Sequence, residues 1–249
     1  MSAARLELKS LSKRFDALEV LADISLCVRP GEFVSVLGPS GAGKSTILQV
    51  LTGALGHDGG QVLFDGSPLE TNSRRFAFMP QRDALMPWRR IIDNATLGLE
   101  VQGMDRAAAR AMVLPLFAEF GLSGFERHYP SQLSGGMRQR VALLRTVAQK
   151  RPMLLLDEPF GALDALTRTR MQHWLSRMRT HHDWTVLLIT HDVREAVLLS
   201  DRIYVLSPRP ARIARHYEVP LPHPRPSAGS AALSAIEADI LQTLLTLED

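Results

Sequence analysis

The segment Gly38-Pro39-Ser40-Gly41-Ala42-Gly43-Lys44-Ser45-Thr46 lies between an apolar run, Phe33 to Leu37, and a helical pattern, Lys44 to Leu51. Glycines in this spacing let successive backbone N–H groups turn toward one centre, and the helix that follows directs its positive end at the same point. The chemistry implied is the binding of a phosphate chain, with Lys44 reaching the β- and γ-phosphates and the Ser45 hydroxyl ligating Mg2+. Downstream, the buried-strand pattern Met153 to Leu156 ends in Asp157-Glu158, and open α/β sheets bind ligands beyond the carboxyl ends of their strands. There Asp157 would hold Mg2+ through its water shell and Glu158 would orient and polarise an attacking water; the competing reading is that this pair caps the next helix. A third segment, Leu133-Ser134-Gly135-Gly136-Met137-Arg138-Gln139-Arg140, opens a helix with a serine cap and two glycines, a second way of presenting backbone donors to an anion.

These groups need elements to position them. Short apolar runs recur at Phe33 to Leu37, Phe76 to Met79, Met153 to Leu156, Val186 to Thr190 and Ile203 to Leu206. Most lack alternation, as strands covered on both faces do. Between them lie helical patterns at Lys44 to Leu51, Arg106 to Phe120, Met137 to Gln149, Leu166 to Arg179 and Val193 to Leu199. The alternation predicts an α/β fold with a mainly parallel sheet. From about residue 86 to 150 the chain reads as helix after helix, a helical subdomain inserted into the sheet. After Leu206 the prolines of SPRPARI and PLPHPRPSAGSAA deny the donors that a central strand needs, and the second stretch reads as a surface loop leading to an amphipathic pattern at Leu233 to Leu247. The expected division is one nucleotide-binding unit, residues 1–228, and a C-terminal helical tail, residues 229–249.

The chain has 249 residues, 45% of them hydrophobic and 22% charged, so disorder, collagen and a disulfide scaffold are excluded. One cysteine, Cys27, cannot form an intrachain disulfide. The N-terminal MSAARLELKSLSKRF has no apolar core of signal-peptide length, and no run approaches the ~18 apolar residues of a membrane span. The net charge is +3, with 29 basic residues scattered among 26 acidic ones, so charge gives no reason to expect a nucleic-acid partner.

LSGGMRQR, taken with the phosphate loop and the strand ending in Asp-Glu, resembles the signature of the ATP-binding-cassette (ABC) family, and the resemblance covers essentially the whole chain. It implies a P-loop NTPase fold of the ABC cassette type. Gln81 matches the family's Q-loop glutamine, a sensor touching Mg2+ and the water site. Gly161-Ala162-Leu163-Asp164 matches the D-loop, which communicates between paired subunits, and His191 matches the switch histidine that contacts the γ-phosphate. Phe15 stands where the family usually has an aromatic residue, commonly Tyr, stacked on adenine; the ring keeps its π face, and a core phenylalanine is the alternative. Met86-Pro87-Trp88 lies where the family docks a helix of its membrane partner, with burial inside the helical subdomain as the other reading.

The resemblance implies an ATPase that converts ATP and water to ADP and phosphate. It implies two copies, or this chain and a near copy, paired head to tail, so that the phosphate loop of one and Ser134, Gly135 and Gly136 of the other enclose each ATP. The pair would sit beneath separate transmembrane permease subunits, peripheral on the cytoplasmic face of the cell membrane, with a substrate-binding protein as indirect partner. Phe160 to Arg168, Pro87-Trp88 and Leu206 to Ile213 resemble the nitrate, sulfonate and taurine importer group, which includes importers of pyrimidine thiamine precursors; the short stretch after the cassette is expected to leave no room for the extra β domain of sugar importers. The alternative is a soluble ABC ATPase acting in DNA repair, translation or cluster assembly.

Overall fold

The computed structural model describes residues 4–70, 74–225 and 230–248. In chain order the elements are β1 (Leu6–Phe15), β2 (Leu18–Val28), β3 (Phe33–Leu37), α1 (Lys44–Leu51), β4 (Gly59–Phe64), β5 (Ser67–Pro68), β6 (Phe76–Met79), α2 (Ile91–Ala95), α3 (Leu97–Val101), α4 (Arg106–Glu119), α5 (Gly135–Ala148), β7 (Met153–Asp157), α6 (Ala165–Met178), β8 (Val186–Thr190), α7 (Val193–Leu199), β9 (Arg202–Leu206), β10 (Ile213–Glu218) and α8 (Ala231–Glu248). The central sheet has the order β10-β9-β3-β8-β7-β6. Its β9, β3, β8, β7 and β6 run parallel, and β10 lies antiparallel on the edge. The proline-bearing stretch after Leu206 thus does yield a strand, at the edge, where only one side of the backbone needs partners.

Non-alternating apolar sequence became doubly covered strand, as a two-residue side-chain period requires. Leu154, Leu156, Val186 and Leu188 point into a core shared with α2 to α6. Their neighbours Met153, Leu155, Leu187 and Ile189 point the other way, toward α1 and a second sheet. That second sheet, antiparallel in the order β2-β1-β4-β5, is absent from the sequence reading. Leu6 and Leu8 face inward in β1, but Ser10 adopts a left-handed φ of 49° and the pairing slips before Leu11 turns inward again. The bulge breaks the alternation that would have marked the strand. The stretch from 86 to 150 is helical, with no strand among its described residues. The predicted loop between residues 220 and 232 falls partly outside the description, since residues 226–229 lie outside the described residues. Beyond it, Leu233 and Ile240 of α8 are buried with Leu37, Val197 and Tyr217.

One buried acid joins two of the helices. Glu195 in α7 is only 3% exposed, and its Oε2 accepts a 3.2 Å bond from Gln172 Nε2 of α6. Burial, the largest cause, and the neighbouring Asp192 carboxylate push its pKa up to about 8, against the opposing bonds of Gln172 and Thr190 and the charge of Arg168. A folded-state pKa above the unfolded value of ~4.3 means that the folded protein holds a proton which the unfolded chain releases, so stability falls as pH rises from about 4.5 to 8. Glu195→Gln should remove that dependence, worth up to about 1.4 kcal/mol per pH unit. Thermal melts of both proteins from pH 5 to 8 should diverge with rising pH, the parent losing stability and Glu195→Gln holding its own; parallel curves would contradict a neutral Glu195.

Candidate active site

The edge at which β3, β8, β7 and β6 end carries most of the predicted residues. Strand register puts them there: Leu37 of β3 lies beside Thr190 of β8, Asp157 of β7 beside Ile189, and Met79 of β6 beside Leu156. The residues that follow therefore emerge side by side. They are the loop 38–43 after β3, His191 after β8, Glu158 after β7 and Gln81 shortly after β6.

The phosphate loop is held from below by β2. Gly43 has φ 102° and precedes α1, and a Cβ there would lie 2.9 Å from both Leu21 Cδ2 and Val20 Cγ1. Only glycine fits that turn and that closeness. Lys44 is 6% exposed, and its Nζ donates to the loop's own carbonyls, Gly38 O at 2.7 Å and Pro39 O at 2.9 Å. Burial lowers its pKa, and the Glu158 and Asp157 carboxylates oppose that. Asp157 is perturbed the other way: burial, then the charge of Glu158, lift its pKa to about 6, with Lys44 pulling it down. Desolvation outweighs attraction on both groups, as in a site shaped for further charge. Ser45 is exposed and Thr46 half-buried at the start of α1.

Glu158 links two other predicted residues. Its Oε2 accepts a 2.9 Å bond from Gln81 Nε2, and its Oε1 lies 3.2 Å from His191 Nδ1. Its backbone is left-handed, φ 42°, a conformation that costs a non-glycine residue roughly 1 kcal/mol or more. Two bonds enforce it: Glu158 N donates to Ile189 O at 2.9 Å, and Gly161 N donates to Glu158 O at 3.0 Å. The carboxylate is thereby aimed between Gln81 and His191 rather than onto the next helix. That helix, α6, is capped by Asp164, which accepts from Thr167 N at 3.0 Å.

Ser134 caps α5 and accepts from Met137 N at 3.3 Å. Gly136 touches α6 so closely that a Cβ would sit 2.7 Å from Thr167 Cγ2. Among the described residues, no hydrogen bond or ion pair joins Ser134, Gly135 or Gly136 to the phosphate loop of the same chain, and the same holds for Phe15. Phe15 is 41% exposed, with Lys13 Nζ 5.5 Å from its ring centre, so it is no core residue. Trp88 is 74% exposed, which overturns the reading that packs it inside the helical region. Asn94 makes that loop rigid: its Oδ1 accepts from Met86 N at 2.7 Å and its Nδ2 donates to Met86 O and Arg89 O at 3.1 Å.

Two arginines of α5 tether the stretch after Gln81, a connection that sequence reasoning missed. Arg138 Nε donates to Asp83 Oδ2 at 3.0 Å, and Arg145 donates to the carbonyls of Asp83 and Ala84. The loop after Gln81 is thereby joined to the helix that Ser134 caps. A third, Arg209, touches the phosphate loop itself, donating from Nε to Gly41 O.

A family model described as ABC transporter matches residues 21–161, more than half of the chain. An aliphatic sulfonates import ATP-binding protein, SsuB 1 of Rhodococcus jostii (strain RHA1), is 44% identical over 244 residues, spanning 98% of this chain and 95% of the relative. The SsuB 1 protein of Xanthomonas axonopodis pv. citri (strain 306) is 42% identical over 250 residues, 99% of each. The ATP-binding cassette MJ0796, solved as a dimer in a post-hydrolysis state with ADP and Pi, superposes with a TM-score of 0.72 at 30% identity over 86% of this chain and 98% of that one. No helix among the described residues is long and apolar enough to cross a membrane. On these matches the chain belongs to the ABC transporter family as one of its ATP-binding, ATP-hydrolysing cassettes.

Proposed function

We propose that this chain is the ATPase subunit of an importer for small organic anions of the sulfonate type, with nitrate, taurine or a pyrimidine thiamine precursor as the neighbouring possibilities within the group. The observation that carries the catalytic half of this reading is Glu158, whose two carboxylate oxygens face Gln81 and His191 beside the Lys44 loop. Curated relatives aligned along nearly the whole chain are named as sulfonate import ATP-binding proteins, which speaks against the soluble repair or translation ATPase.

In this reading the amides of Gly38 to Thr46, with Lys44, cradle the phosphates. Glu158 orients and polarises the attacking water, Gln81 holds the carboxylate at the water site, and His191 holds it from the other side and meets the γ-phosphate. Exposed Phe15 offers a ring face to the base. A Mg2+ ion fits the donor set: Ser45 Oγ, an Asp157 carboxylate oxygen and Gln81 Oε1 are the oxygens that would hold it. Mg2+ held there would complete its shell with phosphate oxygens and water. When bound, Mg2+ would neutralise charge developing on the phosphates.

Among the described residues no hydrogen bond or ion pair ties Ser134, Gly135 or Gly136 to their own phosphate loop, and in this reading they complete the site of a second copy; the dimeric relative MJ0796 supports that arrangement. We assign the cassette to residues 1–228, with its helical part near 86–150, and a helical tail to 229–249. Permease docking is assigned to the Trp88 loop. The same loop, at Ala84, lines a groove of about 460 Å³ with Phe78, Leu97 and Val101. A peripheral position on the cytoplasmic face of the membrane follows from that docking, and the substrate-binding protein would act through the permease.

Two measurements check these assignments. Glu158→Gln should bind ATP as the parent does, lose turnover by roughly 10²- to 10⁴-fold, and accumulate as an ATP-dependent dimer on size exclusion; retained turnover would remove Glu158 from its role. Trp88→Ala in the isolated subunit should melt within ~2 °C of the parent and keep its basal ATPase, because an exposed side chain leaves no cavity. Assembly with the permease should weaken by ~2 kcal/mol or more, about thirtyfold. Normal assembly and transport would refute the docking assignment.

A further inference from the structure

The stretch Leu206-Ser207-Pro208-Arg209-Pro210-Ala211-Arg212-Ile213 has no role in the chemistry described so far, yet it packs against the phosphate loop. Leu206 closes β9 directly under the loop: a Cβ on Gly38 would lie 3.0 Å from Leu206 Cβ and 3.2 Å from Leu206 O. The turn after it closes on itself, Ser207 N donating to Arg212 O at 3.0 Å and Arg212 N to Ser207 Oγ at 3.0 Å. It is also stitched to β2, since Ala211 N donates to Val20 O at 3.0 Å and Ala22 N to Ala211 O at 2.9 Å. Val20 is one of the two residues that press on Gly43. The turn is therefore a fixed platform beside the loop.

From that platform Arg209 reaches the loop at Gly41. Its Nε donates to Gly41 O, and its Nη2 would lie 3.6 Å from a Cβ on Gly41. Gly41 is left-handed, φ 79°, and exposed, so its backbone has the widest freedom at the place where the loop must hold one shape. The peptide that joins Gly41 to Ala42 is pinned at both ends. Its carbonyl is held by Arg209, and its N–H donates to Pro39 O at 3.2 Å, the carbonyl that also receives Lys44 Nζ.

We infer that Arg209 is a positioning residue for nucleotide phosphates: its guanidinium sets the orientation of the Gly41–Ala42 peptide before the anion arrives and adds a positive charge at the loop's rim. A carbonyl engaged from outside cannot swing into the anion-binding centre, where it would repel phosphate oxygens. A bond from a charged donor holds it more firmly than water does. The gain is preorganisation, so it belongs to binding and not to the chemical step. The inference rests on the phosphate-loop reading of Gly38 to Thr46.

The test compares Arg209→Ala, Arg209→Lys and Lys44→Ala in the full chain, by calorimetry with ATP and with ADP in Mg2+ buffer, steady-state ATPase and nucleotide-free melting. Arg209→Ala should raise the Kd for ATP and for ADP together by roughly three- to tenfold and raise KM by the same factor. Its kcat at saturating ATP should stay within about twofold of the parent, and its nucleotide-free melt within ~2 °C, since Arg209 is exposed. Arg209→Lys, which keeps the charge and one donor, should recover part of the affinity. If Lys44→Ala loses ATP binding while Arg209→Ala binds like the parent, the loop reading stands and this inference is overturned. It is also overturned if Arg209→Ala lowers kcat and the nucleotide-free melt together without relief by Arg209→Lys. Undiminished ATP binding by Lys44→Ala would overturn both readings.

Discussion

Parallel strands that share hydrogen bonds must keep step, so the loops that leave their ends appear in a row. In this protein β3, β8, β7 and β6 keep that step over their last residues, Leu37 beside Thr190, Ile189 beside Asp157 and Leu156 beside Met79. Lys44, His191, Glu158 and Gln81 are scattered over about 150 residues of sequence, and this register alone brings them to one edge. Nothing in the catalytic cluster survives a slip of one residue, which would move each buried side chain to the opposite face of the sheet. The two cores that cover the faces, one with α2 to α6 and one with α1 and the antiparallel sheet, are what forbid it.

The edge carries costs that other contacts offset. Lys44 and Asp157 both lose hydration, and each has a pKa moved toward its neutral form despite the other's charge. Glu158 is held in a left-handed backbone by bonds to Ile189 and Gly161. The phosphate loop rests on Val20, Leu21 and Leu206, and is gripped by Arg209. Such unfavourable local choices concentrate where a charged ligand is to be received. The phosphates of ATP would bring to Lys44 the opposite charge that its two carbonyl partners do not carry.

Legibility in the sequence followed locality. The phosphate loop, the strand ending in Asp157-Glu158 and the cap at Ser134 are contiguous segments in which spacing alone dictates geometry, and each stands on the expected element. Strands covered on both faces were visible as unbroken apolar runs. The antiparallel sheet was not, because β1 mixes charges with a bulge at Ser10 that shifts the phase of Leu6, Leu8 and Leu11. Contacts through space left no trace in a single sequence: Arg138 with Asp83 spans 55 positions and Arg209 with Gly41 spans 168. The exposure of Trp88 was likewise undecided by its neighbours, since it depends on Asn94 holding the loop by three carbonyl bonds and one amide bond.

The central claim is that the nucleotide site is finished by a second copy, as in the dimeric relative MJ0796, with Ser134 to Gly136 serving the partner's loop. The most direct test mixes Lys44→Ala subunits with Ser134→Arg subunits, each inactive alone. A head-to-tail dimer of one of each contains one site with both lesions and one with neither. The account predicts that ATPase returns on mixing, to roughly a quarter of the parent rate at equal amounts, because half of the dimers are mixed and each has one intact site. A mixture that forms mixed dimers, shown by cross-linking, and stays as inactive as either parent would contradict it.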